Sequence, residues 1–105
     1  FEAFLLALEG RRRFRELVMA YPHFRPQLEF LACDGEIGLD FIGRFERLHS
    51  DFRTICEKLG FTEVSLSHEH KSIRLRYQDC YNERSKKIVG ALYECDIRSF
   101  DYAFT

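Results

Sequence analysis

LDFIGRFERLHSDFRTICEKLG, Leu39 to Gly60, is followed shortly by SHEHKS, Ser67 to Ser72, and together the two read as strand, helix and basic loop. Leu39, Phe41, Gly43 and Phe45 share one face of the alternation that marks a half-buried strand. Phe52, Ile55, Cys56 and Leu59 fall at i, i+3, i+4 and i+7, which predicts a helix over Leu48 to Leu59. Ser50 and Asp51 supply its start signal and Gly60 its stop. Gly43 has no side chain to pack, and in a strand such a residue marks close approach by another backbone or a ligand. Beyond the helix, His68, His70, Lys71, Ser72, Arg74 and Arg76 place imidazole, hydroxyl and cationic donors within one loop length. Such a set suits an anionic ligand.

Working outward, Phe1, Phe4, Leu5 and Leu8 have helical spacing, as do Phe14, Leu17, Val18 and Tyr21, with Gly10 between the two runs. Two helices, or one kinked helix, are expected, closed by Pro22. Arg11, Arg12, Arg13 and Arg15 cluster at the start of the second run, either as a solvated face or as a contact with an acidic glycan. From His23 to Asp40 the pattern weakens into an irregular segment with room for a short strand or helix. A last helix is expected from about Glu83 to Ser99, capped by Asn82, with Ile88, Val89, Leu92, Tyr93 and Cys95 as its buried stripe. One convincing strand among several helices cannot satisfy its own ladder hydrogen bonds, so its partners are expected outside these residues.

The 105 residues are a one-domain length that buries only about two thirds of its unfolded surface, so the core is modest. Eleven Phe and a 15% aromatic content still separate the chain from disordered sequences. Sixteen Lys and Arg against seventeen Asp and Glu leave a net charge of −1, so no global field favours nucleic acid, and any anion site is local. No apolar run is long enough to span a bilayer. Four Cys stand far apart without a C-x-x-C pair, which argues against a zinc cluster; free thiols are expected, while the even count also permits two disulfides. Cys56 and Cys95 are placed on apolar helix faces.

Five short pieces then occur in one order: HFRPQ (His23 to Gln27), DFIGRFERLHSDF (Asp40 to Phe52), HEHKS (His68 to Ser72), YQDCY (Tyr77 to Tyr81) and DIRSFDY (Asp96 to Tyr102). This order resembles the C-terminal part of the carbohydrate-type sulfotransferases, which use 3′-phosphoadenosine 5′-phosphosulfate as sulfuryl donor. The resemblance covers roughly residues 21 to 104. It implies an α/β fold of the P-loop nucleotide-kinase type, of which this piece would be mostly helical with one clear strand. The Gly-containing strand-to-helix loop that wraps the 5′-phosphosulfate in such enzymes is not visible, nor are the later Arg and Ser for the 3′-phosphate. No G-x-x-x-x-G-K pattern occurs. Residues 1–105 are therefore expected to be a single segment, the C-terminal portion of a domain whose donor-binding first part lies upstream, and inactive alone. The start at Phe1 without an initiating Met agrees with that expectation.

The resemblance places His68, Lys71 and Ser72 over the nucleotide, with Arg74 beside them; the other reading is an ordinary basic surface loop. Ser67 and His70 stand where many relatives have Pro and Asn. His23 and Gln27 are candidates to hydrogen-bond an acceptor sugar, and Arg25 to pair with a carboxylate or sulfate on it; the other reading is that His23 and Gln27 satisfy local backbone. No catalytic base is assigned. A metal held by His68 and His70 with Glu69 or Cys80 lacks ligands at fixed spacing, and no metal is expected. The expected partner is a carbohydrate or other hydroxyl acceptor, with no nucleic acid. The implied compartment is the cytoplasm for a bacterial source and the Golgi lumen for a eukaryotic one. The competing function is a non-catalytic helical module that binds a partner protein through an apolar patch.

Overall fold

The computed structural model of the chain describes residues 1–62, 64–67 and 75–104. These fall in two compact units, one formed by residues 1–37 with the described part of 74–105, the other by the described part of 38–73.

In the first unit the predicted helical runs form two separate helices, α1 (Glu2–Gly10) and α2 (Arg12–Ala20). Arg11 stands between them in extended backbone, at φ −122° and ψ 94°. Arg15 donates from Nη1 to the carbonyls of Leu8 (3.4 Å) and Glu9 (3.3 Å), carbonyls that the end of α1 would otherwise leave to solvent. Tyr21 is extended, as a residue before proline must be, and Pro22 prevents α2 from continuing.

The last helical stretch is two helices, α5 (Glu83–Leu92) and α6 (Glu94–Phe100), where the sequence predicts one. They break at Tyr93, whose φ of −114° and ψ of 26° leave the helical region. The break resets the helical phase, so Cys95, expected in the buried stripe, is exposed. Asn82 caps α5 as expected: its side chain accepts from the Ser85 N–H (2.8 Å), and the Ser85 hydroxyl accepts from the Asn82 N–H (2.8 Å). This reciprocal box satisfies two otherwise orphan donors. Leu5 and Leu8 of α1 pack on Ile88 of α5, with Phe4, Val18, Val89 and Leu92 around them. Polar ties join the same helices, since Glu9 pairs with Arg84 (2.7 Å) and Glu2 accepts from the Asn82 amide (2.9 Å).

Between α2 and α5 the first unit holds α3 (Leu28–Leu31) and an antiparallel hairpin of β1 (Ala32–Cys33) and β2 (Glu36–Ile37), with Ala32 opposite Ile37 and Cys33 opposite Glu36. Asp34 and Gly35 both have positive φ, 53° and 81°, as a two-residue hairpin turn of this hand requires. The Asp-Gly pair announces that turn in the sequence, within the stretch read as irregular.

The predicted strand over Leu39 to Phe45 is not a strand. Residues 41–44 are irregular, and Phe45–Arg47 form a 3₁₀ turn that leads into α4 (Leu48–Leu59). Alternating apolar residues predict a face to bury but supply no ladder partner. Here the Arg44 N–H goes instead to the Asp51 carboxylate at 2.8 Å. Phe45, expected on the buried face, is 82% exposed. Gly43 does sit at a close approach, but to a side chain, because a Cβ added there would lie 3.4 Å from the Asp51 Cβ.

The predicted bounds of α4 hold, although its start signal works differently. Ser50 donates to the Arg47 carbonyl (3.1 Å) and Asp51 reaches back to Arg44, while the N-cap position itself is Arg47. At the other end Gly60 has φ 79°, and the Phe61 N–H bonds the Cys56 carbonyl at 2.8 Å, a Schellman-type stop. Cys56 is buried, and Phe52 and Ile55 are half-buried.

Candidate functional site

The candidate acceptor residues lie on the turn that joins α2 to α3. The Tyr21 carbonyl accepts from the N–H groups of Phe24 (2.9 Å) and Arg25 (3.1 Å), which coils residues 21–25 into a compact bend. Pro22 and Pro26 fix φ at either side of it. Phe24 packs its ring on Phe4 of α1, with centroids 5.8 Å apart.

Two residues of the last helices grip this bend from a distance in sequence. Asp96, in the first turn of α6, accepts from two successive backbone donors, the N–H of Gln27 (2.7 Å) and of Leu28 (2.8 Å). Neither Gln27 nor any nearer side chain caps α3; Asp96 does so from another helix. Its charge thus sits at the N-termini of both α3 and α6, where a negative charge is favoured. Tyr93, at the break between α5 and α6, donates its hydroxyl to the Phe24 carbonyl at 2.7 Å. Burial, and then the nearby Asp96 charge, raises the Tyr93 phenol above its ordinary pKa.

His23, Arg25 and Gln27 are all brought to this one turn. His23 is exposed and stacks on Tyr21 at 5.7 Å between ring centroids. Arg25 lies 4.9 Å over the Phe30 ring, and its Nε donates to Glu29 at 2.8 Å. An anion approaching Arg25 therefore meets a guanidinium already paired on one edge. Gln27 engages Asp96 through its backbone only, and its exposed residue leaves the carboxamide to solvent. The candidate donor residues His68, Lys71, Ser72 and Arg74 lie outside the described residues, as does the His68 and His70 pair for which a metal reading was set aside. Arg76, beyond them, pairs with Asp79 at 3.3 Å. Arg12 of the basic cluster pairs with Glu16, with the two side chains 84% and 61% exposed, which fits the solvated reading of that cluster.

A shallow cavity of about 150 Å³ lies away from this turn, lined by Leu8, Glu9, Arg15, Lys87, Ile88, Ala91 and Leu92. None of the candidate site residues borders it. Among the described residues no three His, Cys, Asp or Glu side chains converge as a metal site, and no helix is long and apolar enough to cross a membrane.

Asp96 and Tyr93 are the residues that sequence reasoning missed. Asp96 heads the quoted piece DIRSFDY, so a signal was present, but its partners stand 68 and 69 residues earlier. No periodicity connects positions that far apart.

The sequence profile of the sulfotransferase family matches residues 1–103. The chain belongs to the sulfotransferase family. Members of this family move a sulfuryl group from a sulfate donor to an acceptor hydroxyl. The match begins well ahead of His23, so α1 and α2 belong to the sulfotransferase chain as much as the quoted motifs do. No curated protein and no solved structure matches the sequence.

Proposed function

We propose that this chain is the C-terminal part of a sulfotransferase domain with a P-loop nucleotide-kinase-like fold, and that the whole enzyme transfers sulfuryl from 3′-phosphoadenosine 5′-phosphosulfate to a carbohydrate hydroxyl. The family match over residues 1–103 carries the reading. The ordered pieces from HFRPQ to DIRSFDY support the donor and acceptor classes, and the lack of a Gly-rich phosphate loop in the sequence supports the placement within the domain. In this reading Lys71 is a point charge on the nucleotide, with Ser72, His68 and Arg74 as further donors, and the 23–27 turn faces the acceptor. Transfer breaks the bond between sulfur and the phosphate oxygen and forms one to the acceptor oxygen, whose proton passes to a base. Positioning and electrostatic stabilisation would carry most of the rate enhancement, by analogy with phosphoryl transfer.

Calorimetric titration of 3′-phosphoadenosine 5′-phosphate into the full-length protein tests the donor site. Lys71→Ala is expected to weaken binding about tenfold to a hundredfold, the range for losing a charge-assisted hydrogen bond of roughly 1.5 to 3 kcal/mol. Arg12→Ala is expected to change nucleotide affinity less than twofold, because Arg12 is exposed and paired with the exposed Glu16. Equal affinities for the two variants would remove the nucleotide from this loop. The second reading, a helical module that binds a partner protein, draws on exposed apolar side chains of the first unit such as Leu17 (65%) and Tyr21 (60%). It predicts no nucleotide binding at all.

A further inference from the structure

We infer that Asp96 and Tyr93 are positioning residues for acceptor recognition, acting through the turn that carries His23, Arg25 and Gln27. The inference rests on the acceptor reading of that turn. The Gln27 N–H held by Asp96 belongs to a candidate residue itself, and the Phe24 carbonyl held by Tyr93 lies between the other two. Each candidate side chain therefore hangs from backbone at, or next to, an anchored atom.

At its α3 end the backbone is held by the buried Pro26 and by local bonds from the Glu29 N–H to the Pro26 carbonyl (3.2 Å) and from the Phe30 N–H to the Gln27 carbonyl (3.0 Å), which leave the N–H groups of Gln27 and Leu28 to Asp96. α3 has four residues, too few to sustain a helix alone, and it has no side-chain cap of its own. Asp96 supplies the missing cap with both carboxylate oxygens, 2.7 and 2.8 Å from successive nitrogens. A carboxylate so engaged, with both oxygens committed to backbone donors, is a fixed strut. Because both struts act on the backbone that carries the candidate acceptor side chains, the effect on a bound sugar is expected to exceed any effect on the nucleotide.

The test uses the full-length protein saturated with 3′-phosphoadenosine 5′-phosphate and titrated with a uronate-containing oligosaccharide, a probe suited to Arg25. His23→Ala and Arg25→Ala report on the turn directly. Asp96→Ala, Asp96→Asn and Tyr93→Phe report on the struts. The expected result is that Asp96→Ala weakens oligosaccharide binding about tenfold, that Asp96→Asn, which keeps one acceptor oxygen, recovers part of the loss, and that nucleotide affinity stays within twofold. Tyr93→Phe is expected to act in the same direction, and it serves where Asp96→Ala fails to fold. If the wild type does not bind the oligosaccharide, or if His23→Ala and Arg25→Ala leave binding unchanged, the acceptor reading fails and the inference falls with it. If those two weaken binding while Asp96→Asn and Tyr93→Phe do not, the positioning role alone is overturned. Parallel loss of nucleotide and oligosaccharide affinity in the Asp96 and Tyr93 variants would show a general structural role and would also overturn it.

Discussion

Asp51 and Asp96 do the same chemical work in two different settings. Asp51 accepts a backbone N–H from Arg44, seven residues away, and holds the approach to α4 within its own unit. Asp96 accepts two, from Gln27 and Leu28, across most of the chain. The burial around them differs in the same sense. Leu5, Leu8 and Ile88 bring the two ends of the sequence together in the first unit, whereas Cys56 is the buried apolar residue described in the second. One unit is closed by contacts distant in sequence, and among the described residues of the other the Asp51 to Arg44 tie joins near neighbours.

The largest expected effect strikes the long-range core. Leu8→Ala removes a 2% exposed side chain from the packing on Ile88 and is expected to cost about 3 kcal/mol, read from the urea midpoint. A loss under about 1 kcal/mol would mean that α1 and α5 are not held by this contact. Next come the two aspartates. Asp96→Ala gives up two charge-assisted bonds and should speed amide exchange at Gln27 and Leu28 by about thirtyfold, or about 2 kcal/mol. Asp51→Ala gives up one and should speed exchange at the Arg44 amide by about tenfold or less. The opposite order would break the contrast between the units.

The smallest effect concerns pH. The Tyr93 phenol is raised by burial and by Asp96, so the folded state holds its proton more tightly than the unfolded chain does. Its contribution is fully present below the unfolded value of about 10 and is lost as pH rises through the higher folded value. Stability should therefore fall in alkali, and Tyr93→Phe should flatten that decline while costing about 1 kcal/mol at neutral pH. An identical alkaline slope in the variant would assign the effect to other groups.

What could be read from the sequence follows the same division. The bounds of α4, the Asn82 cap and the Gly60 stop depend on residues within one or two turns of each other, and all were legible, while the same local signals left α1 and α2 open between two helices and one kinked helix. The break at Tyr93 was not, because an apolar stripe continues through it and the phenol's partner is Phe24, far back in the chain. The strand over Leu39 to Phe45 failed because alternation records which side chains avoid water, and not where N–H groups find acceptors. Asp51 answers that question for Arg44. His23, Arg25 and Gln27 were singled out by residue type and do share one turn, but of the residues that hold it Asp96 heads a piece whose role could not be paired with the turn, and Tyr93 was read only as part of an apolar stripe. The hairpin at Asp34 and Gly35 was readable in principle, since the dipeptide itself names the turn.

Cys56 gives the second unit a reporter that requires no added label site. Cys33, Cys80 and Cys95 are exposed thiols, and Cys56 alone of the four is buried, on α4. A thiol-specific reagent in excess should therefore consume three groups quickly and the fourth only when the helix opens. Under conditions where reclosing outpaces reaction, the slow rate divided by that of an unfolded thiol is the equilibrium constant for that opening. The modification time course, followed by mass at Cys56, thus measures the local stability of α4 without denaturant, separately from whatever holds α1 to α5.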